Sequence, residues 1–185
     1  MNENTATETD LAGPLAADYF GVAFELAKHS PDPSTQNGAV IIDTVTGAII
    51  GAGLNDFPHG VEVNEERLTR PLKYSFIEHA ERNAIFEMGD RGFADLPNKE
   101  MYALWATCTD CARAIIQSGI KRVHTHSFYF DGATSVDGEN RKDWGESIDI
   151  AFTMLEEAGV DVVFHDCEVM PEDETLLFNS QPVHY

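Results

Sequence analysis

The stretches His79-Ala80-Glu81 and Cys108-Thr109-Asp110-Cys111 decide how this sequence is interpreted. One imidazole and two thiolates are ligands that Zn²⁺ prefers, and three protein ligands leave the fourth tetrahedral position open for water. Glu81 stands beside the histidine, and a carboxylate that is not a ligand can carry a proton to and from a reacting group. We therefore predict a catalytic zinc site with His79, Cys108 and Cys111 as ligands and Glu81 as the proton carrier.

The hydrophobic pattern around these motifs predicts an α/β domain. Helical periodicity covers residues 15–28, 77–88, 110–118 and 144–157, and strand patterns cover 39–43, 48–54, 100–106, 121–126 and 160–165. The first two strands form a hairpin, and in the second half strands and helices alternate, which indicates parallel pairing. We therefore expect a three-layer α/β/α fold with a mixed sheet of about five strands.

Both motifs fall at predicted helix starts. His79 and Glu81 lie in the opening turn of one helix, and the i, i+3 spacing of Cys108 and Cys111 places both sulfur atoms on one side of the next. The free N–H groups and partial positive charge of a helix start favour thiolate over thiol. Two helix starts that face each other would build the site at one edge of the sheet.

Length and composition predict a single domain with a substantial core, since the chain has 185 residues of which 43% are hydrophobic. Residues 1–14 are polar and lack apolar periodicity, so we expect a flexible acidic tail, followed by the domain over 15–168 and a C-terminal extension over 169–185. The polar stretch 55–74 is too long and irregular for a simple connection, and loops of this length are usually functional.

Charge and cysteine content limit the expected partners and location. Twelve Lys and Arg against 32 Asp and Glu give a net charge of −20, which repels a nucleic-acid backbone but leaves a small phosphorylated substrate open. No apolar run approaches the roughly 18 residues that cross a bilayer, and the N-terminus has no signal pattern. The chain has three cysteines, an odd number, which indicates a free thiol in a reducing compartment. We therefore predict a cytoplasmic protein without a nucleic-acid or membrane partner.

Five segments of the chain resemble a known family: residues 33–39, 51–55, 70–74, 78–85 and 108–120. They are similar to the zinc-dependent cytidine deaminase superfamily and, within it, to the deoxycytidylate (dCMP) deaminases. The resemblance covers residues 15–165, which is most of the chain, and it implies a cytidine-deaminase-like version of the α/β/α fold.

The resemblance also implies a reaction and roles for individual residues. The reaction is hydrolytic deamination of dCMP to dUMP and ammonia, which feeds thymidylate synthesis and uses one Zn²⁺ per chain. His79, Cys108 and Cys111 match the zinc ligands of the family, Glu81 its proton shuttle, and Asn55 its deoxyribose-binding asparagine. A homo-oligomer (a hexamer or smaller) and dCTP or dTTP effectors, with Mg²⁺, are implied in the same way.

Further substrate contacts can be suggested from residue type alone. Arg70 and Lys73 are basic residues in an acidic protein, just before the catalytic helix, and could bind the 5′-phosphate. Ser34 could donate to the same phosphate, and Tyr129 could stack on the base. Each has an ordinary alternative, namely a solvated loop charge, a turn residue or a packing residue.

Two alternatives to a dCMP deaminase stay open at this point. The first is a deaminase of another small cytosine-type or pyrimidine substrate, such as a nucleoside or a modified nucleotide. The second is a zinc-stabilised regulatory protein without turnover. Glu81 counts against the second, because a purely structural zinc site has no need of a carboxylate there.

Overall fold

The computed structural model describes residues 13–126, 145–171 and 173–183. In these ranges the helices are α1 (Gly13–Ala27), α2 (Lys73–Phe76), α3 (Ala80–Asp90), α4 (Thr109–Ser118) and α5 (Gly145–Glu157). The strands are β1 (Gly38–Asp43), β2 (Ile49–Leu54), β3 (Lys99–Ala103), β4 (Arg122–His126), β5 (Asp161–His165), β6 (Leu176–Phe178) and β7 (Gln181–Val183). Each element that the periodicity predicts is present, whereas α2, β6 and β7 were not predicted.

The main sheet has five strands in the order β2-β1-β3-β4-β5. Strand β1 pairs antiparallel with both β2 and β3, whereas β3, β4 and β5 run parallel to one another. The predicted mixed sheet is therefore confirmed, and the parallel part lies where strands and helices alternate in the sequence.

Helices cover both faces of this sheet. Alternate residues of a strand point to opposite faces, so Val40 packs with Phe20 and Phe24 of α1, while Ile41 packs with residues of α3 and α4 such as Ala84 and Ile115. This arrangement is the predicted three-layer α/β/α fold. Within the described residues, no helix has both the length and the apolar character needed to cross a membrane.

Two glycines of β2 allow α3 to lie directly against the sheet. A Cβ atom at Gly53 would stand 2.3 Å from the carbonyl oxygen of Ala80, and one at Gly51 would stand 2.4 Å from that of Ala84. Real side chains do not approach backbone atoms this closely, so the packing distance requires glycine. Because Ala80 lies between His79 and Glu81, these glycines fix the position of the first motif.

The C-terminal segment packs into the domain. Strands β6 and β7 pair as an antiparallel hairpin, and Met170, Leu176 and Phe178 are buried in the core on the α1 face. The Phe178 ring lies 4.3 Å from that of Trp105, measured between centroids. Residues of the predicted C-terminal extension therefore pack on the domain, and the boundary at residue 168 stays a prediction. Most of the predicted acidic tail, residues 1–12, lies outside the described residues.

Candidate active site

His79, Cys108 and Cys111 form a compact cluster, called the metal cluster below. His79 is the residue before the first turn of α3, Cys108 the residue before that of α4, and Cys111 lies within that turn. Nδ1 of His79 is 3.5 Å from Sγ of Cys108 and 3.5 Å from Sγ of Cys111. The two helix starts face each other, as the motif spacing predicts.

This geometry fits a zinc ion. Tetrahedral Zn–N and Zn–S bonds of about 2.0 and 2.3 Å would put the nitrogen and sulfur atoms about 3.5 Å apart, and the three ligand atoms all lie within 4.8 Å of one another. A hydrogen bond from Cys111 lowers the pKa of Cys108 to about 3, so Cys108 is a thiolate, the form that binds metal. The donor set thus supports the predicted Zn²⁺.

Glu81 lies in the first turn of α3 and is 2% exposed. Burial raises the pKa of its carboxyl group to about 7, because the charged form loses solvation. Asn37 donates from Nδ2 to Oε2 of Glu81 at 3.3 Å. A carboxyl group that titrates near neutral pH is suited to giving and accepting protons, which is the role predicted for Glu81.

A pocket of about 640 Å³ of empty space, its open mouth included, connects these groups. His79, Glu81 and Cys108 line it together with Trp105, whose indole nitrogen donates to the carbonyl of Gln36. A concave site that combines a few polar groups with an aromatic side chain is typical of a small-molecule site. The pocket therefore offers a place for a small molecule against Glu81 and the metal cluster.

Asn55, predicted to bind deoxyribose, lines the pocket at the end of β2. Its Oδ1 accepts from the backbone N–H of Ala80 at 3.0 Å, and its Nδ2 donates to the carbonyl of Thr35 at 2.8 Å. The side chain therefore ties the segment before β1 to the start of α3. Its contact with a sugar stays a prediction.

Lys73 and Ser34 converge on Asp32, which was not expected at the site. Nζ of Lys73 lies 2.6 Å and 2.8 Å from the two carboxylate oxygens of Asp32, and both residues are buried and line the pocket. The backbone N–H and the hydroxyl of Ser34 donate to Oδ1 of Asp32 at 2.8 Å and 3.0 Å. The charge of Lys73 is thus balanced within the protein, and the Ser34 hydroxyl already has an acceptor.

Arg70 reaches the C-terminal hairpin. Its guanidinium donates to Oδ1 of Asn179 at 3.2 Å, to the hydroxyl of Ser180 at 3.2 Å and to the hydroxyl of Tyr74 at 3.0 Å. Tyr74, Phe178 and Asn179 line the pocket. We call three residues the basic wall: Lys73 and Asn179, which line the pocket, and Arg70, which is bonded to Asn179. Tyr129, predicted to stack on the base, lies outside the described residues.

Comparison with known proteins agrees with this arrangement. A family model described as the cytidine and deoxycytidylate deaminase zinc-binding region matches residues 15–127. A protein of Aliivibrio fischeri named "uncharacterized deaminase in luxG 3′ region" is 34% identical over 157 residues, which are 84% of this chain and 96% of that protein. The deoxycytidylate deaminase of Mus musculus is 39% identical over 115 residues, 57% of this chain and 61% of the mouse protein.

Solved structures share the fold. The dCMP deaminase of cyanophage S-TIM5, in complex with dCMP and dUMP, matches with a TM-score of 0.59 and 22% identity, over 82% of this chain and 96% of that one. RibD of Acinetobacter baumannii matches with a TM-score of 0.54 and 19% identity, over 81% of this chain and 35% of that one. Together with the family match, these findings show that the chain belongs to the zinc-binding cytidine and deoxycytidylate deaminase family of hydrolytic enzymes.

Proposed function

We propose that this enzyme deaminates dCMP to dUMP and ammonia. The observation that carries the proposal is the position of Glu81, which is buried next to the metal cluster and lines the pocket in which Lys73 and Asn179 also lie. A proton carrier, Lys73 and Asn179 within one pocket, with Arg70 bonded to Asn179, suit a small molecule with an amino group and a phosphate. Relatives named deoxycytidylate deaminase point to the same substrate.

The metal cluster, Glu81 and Asn37 would each have a separate role in the proposed reaction. A zinc ion held by the metal cluster would supply a Lewis acid for the hydrolysis. Glu81 would take one proton of the attacking water and deliver it to N3 of the cytosine ring. It would then carry the remaining proton, from the C4 hydroxyl, to the amino group that leaves as ammonia. Asn37 would orient the Glu81 carboxylate through its Nδ2.

Other residues in and around the pocket would contact the sugar, the phosphate and the base of the nucleotide. Asn55 would meet the deoxyribose, with its side-chain amide held in place by Ala80 and Thr35. Arg70 would supply net positive charge for the 5′-phosphate, and Lys73, whose charge Asp32 balances, would supply an N–H donor. Ser34 would act through the loop that it stabilises with Asp32. Tyr129 is retained as a candidate for stacking on the base.

A substrate panel tests this proposal. Deamination of cytidine, deoxycytidine, CMP, dCMP and dCTP is followed by loss of the cytosine absorbance. We expect the highest kcat/KM for dCMP. Equal turnover of deoxycytidine and dCMP would mean that the phosphate is not recognised, and it would favour the alternative of a nucleoside or modified pyrimidine as substrate.

A substitution at Glu81 tests whether the site is catalytic. Glu81→Ala should abolish turnover while one zinc ion per chain stays bound, as measured by metal analysis. Glu65→Ala, a change at an exposed position, is the matched control and should keep full activity. Activity that survived Glu81→Ala would contradict the proton-carrier role, and a wild-type protein that binds zinc without turning over any substrate would favour a regulatory protein.

We also propose the properties that the resemblance implies beyond the pocket. These are a homo-oligomer (a hexamer or smaller), control by dCTP and dTTP with Mg²⁺, and a cytoplasmic location. Light scattering measures the assembly. Repeating the dCMP assay with each triphosphate and Mg²⁺ measures the control, and unchanged kinetics would contradict it.

A further inference from the structure

We infer that the Asn179 side chain is a substrate-specificity residue that donates a hydrogen bond from Nδ2 to a phosphate oxygen of the nucleotide. The inference rests on the proposed function, since it names how that same pocket recognises the anionic part of its substrate. It assigns a binding role to the C-terminal hairpin, a segment to which the motifs give no part in the chemistry.

In the described part of the chain, the oxygen of the Asn179 side-chain amide has a hydrogen-bond partner and its nitrogen has none. Asn179 is 6% exposed and lines the pocket. Oδ1 accepts from Arg70, but no hydrogen-bond acceptor within the described residues reaches Nδ2. Buried donors are nearly always paired in folded proteins, so an unpaired one in a pocket wall indicates a ligand that pairs with it.

The orientation of this amide is fixed by its partner. A guanidinium group can only donate hydrogen bonds, so the atom of Asn179 that faces Arg70 must be the oxygen. Nδ2 is then the atom left to face elsewhere. Because hydrogen bonds in a chain polarise one another, the positive charge of Arg70 on Oδ1 also makes Nδ2 a stronger donor.

The hairpin turn fixes the backbone of Asn179. Asn179 and Ser180 are the two central residues between β6 and β7, and their φ values are 53° and 66°. Positive φ at both central residues is the usual conformation of a two-residue hairpin turn, in which Asn is favoured. Ser180 is a less usual residue there, so contacts outside the turn help to enforce the conformation.

The enforcing contacts come from the segment before β1. They are the backbone bond from Ser180 N–H to Ser34 (2.7 Å), that from Gln36 N–H to Leu177 (2.8 Å), and side-chain bonds that join Leu177 to Gln36 (3.0 Å) and Asn179 to Thr35 (3.3 Å). Thr35 also lines the pocket and bonds to Asn55. The hairpin tip is therefore fixed to the same segment that positions Asn55 and Asn37.

The charges nearby favour an anion as the acceptor. Arg70 and Lys73 against Asp32 leave one positive charge beside Asn179, in a chain whose net charge is −20. A local positive charge in an acidic protein attracts an anionic group. A phosphate oxygen accepts a hydrogen bond from a neutral amide and gains from this charge, whereas an oxygen of the base or sugar gains only the hydrogen bond.

The test replaces Asn179 while keeping the turn. Asn179→Gly removes the donor, and glycine accepts a positive φ without strain, so the hairpin should be retained. Arg70 loses its bond to Oδ1 but keeps those to Tyr74 and Ser180, so its charge should stay in place. Gln181→Ala, at an exposed position of β7, is the matched control. Melting temperatures check that both variants fold as the wild type does. The measurements are KM and kcat for dCMP and the inhibition constants of dUMP and deoxyuridine, which differ only in the phosphate.

We expect Asn179→Gly to raise KM for dCMP and the inhibition constant of dUMP roughly tenfold or more, with kcat and the constant of deoxyuridine changed by less than about twofold. Equal weakening of dUMP and deoxyuridine would place the contact at the base or sugar and overturn the inference, and so would unchanged binding of both. A wild-type enzyme that deaminates no cytosine nucleotide would instead refute the proposed function, and the inference with it.

Discussion

At the metal cluster the functional side chains come from the starts of two helices, whereas the basic wall joins Arg70 and Lys73 to Asn179 of the distant C-terminal hairpin. His79 and Glu81 are two residues apart at the start of α3, and Cys108 and Cys111 are three apart at the start of α4. In the basic wall, the bond between Arg70 and Asn179 joins residues 109 positions apart. Short spacing makes the first region recognisable as a motif. In the second region the sequence suggests Arg70 and Lys73, and only the folded chain adds Asn179.

This contrast predicts that removing a metal ligand has the largest effect. Cys111→Ser replaces a soft thiolate with a hydroxyl that binds Zn²⁺ poorly, so zinc content should fall well below one per chain and deamination should fall to background. Cys167→Ser, at a cysteine outside the cluster, is the matched control and should keep both zinc and activity. A Cys111→Ser protein that retained both zinc and activity would show that the cluster is not the catalytic metal site.

In the basic wall, the next largest effect should come from breaking the buried Lys73–Asp32 pair. Lys73→Met leaves the Asp32 carboxylate buried without its counter-charge, which should lower the free energy of unfolding by about 3–5 kcal/mol in urea denaturation. Asp32→Asn combined with Lys73→Met removes both charges and should restore most of the lost stability.

The same double variant separates a structural role of Lys73 from a binding role. If Lys73 acts through Asp32 alone, the double variant should bind dCMP nearly as well as the wild type does. If Lys73 also contacts the phosphate, KM for dCMP should stay raised although stability recovers. Lys73→Met without loss of stability would contradict the structural role.

The main sheet and the metal cluster could be predicted from the sequence because both depend on patterns among residues that are close together in the chain. The apolar periodicity located α1, α3, α4, α5 and the five strands of the sheet, and the i, i+3 cysteines at a helix start indicated zinc ligands. The hairpin was missed because β6 and β7 have three residues each, which is shorter than the four to eight of a recognisable strand pattern.

Polar partners across the pocket were missed for a different reason. The pairs Lys73–Asp32 and Asn37–Glu81 join residues 41 and 44 positions apart, and no local pattern marks either of them. A basic residue next to a catalytic helix suggests a free charge for a ligand, and only the fold shows that Lys73 is already paired. Asn37 follows a polar run and lies in one of the segments that carry the family resemblance, and Asn179 follows three apolar residues, so no local pattern gives either of them a role.

A third prediction concerns the close packing of α3 on β2, which positions His79 and Glu81. Gly53→Ala would force its methyl group against the backbone of Ala80, so α3 must move away from β2 and shift Glu81 with it. We expect a loss of about 1–3 kcal/mol in unfolding free energy, as for overpacked cores, and a fall in kcat. Gly89→Ala, in the same helix but with open space around its Cβ position, should be neutral or slightly stabilising. Equal melting temperatures and equal kcat for the two variants would contradict the close packing.

The smallest effect should come from acid, through a histidine cluster on the α1 face of the sheet and outside the residues that line the pocket. His124 bonds to Glu100 at 2.9 Å and to His165 at 2.7 Å. Burial and the neighbouring His124 and His126 lower the pKa of His165 from 6.5 to about 4. The unfolded chain then takes up a proton at His165 before the folded protein does. The stability that His165 contributes is therefore complete above pH 6.5 and is lost as the pH falls toward 4.

With solvent screening of this partly exposed side chain taken into account, the loss should be about 1–2 kcal/mol, measured as unfolding free energy against pH. His165→Gln should flatten the curve between pH 6.5 and 4, whereas His59→Gln, at an exposed loop position, should leave it unchanged. The pKa of Glu100 is lowered chiefly by its hydrogen bond with His124, so a second loss should follow below pH 4.5 in both variants. Because none of these groups lines the pocket, His165→Gln should keep the wild-type KM for dCMP at neutral pH. A changed KM would mean that the sheet face under α1 is coupled to the basic wall, through the core in which Tyr102, Trp105 and Phe178 pack together.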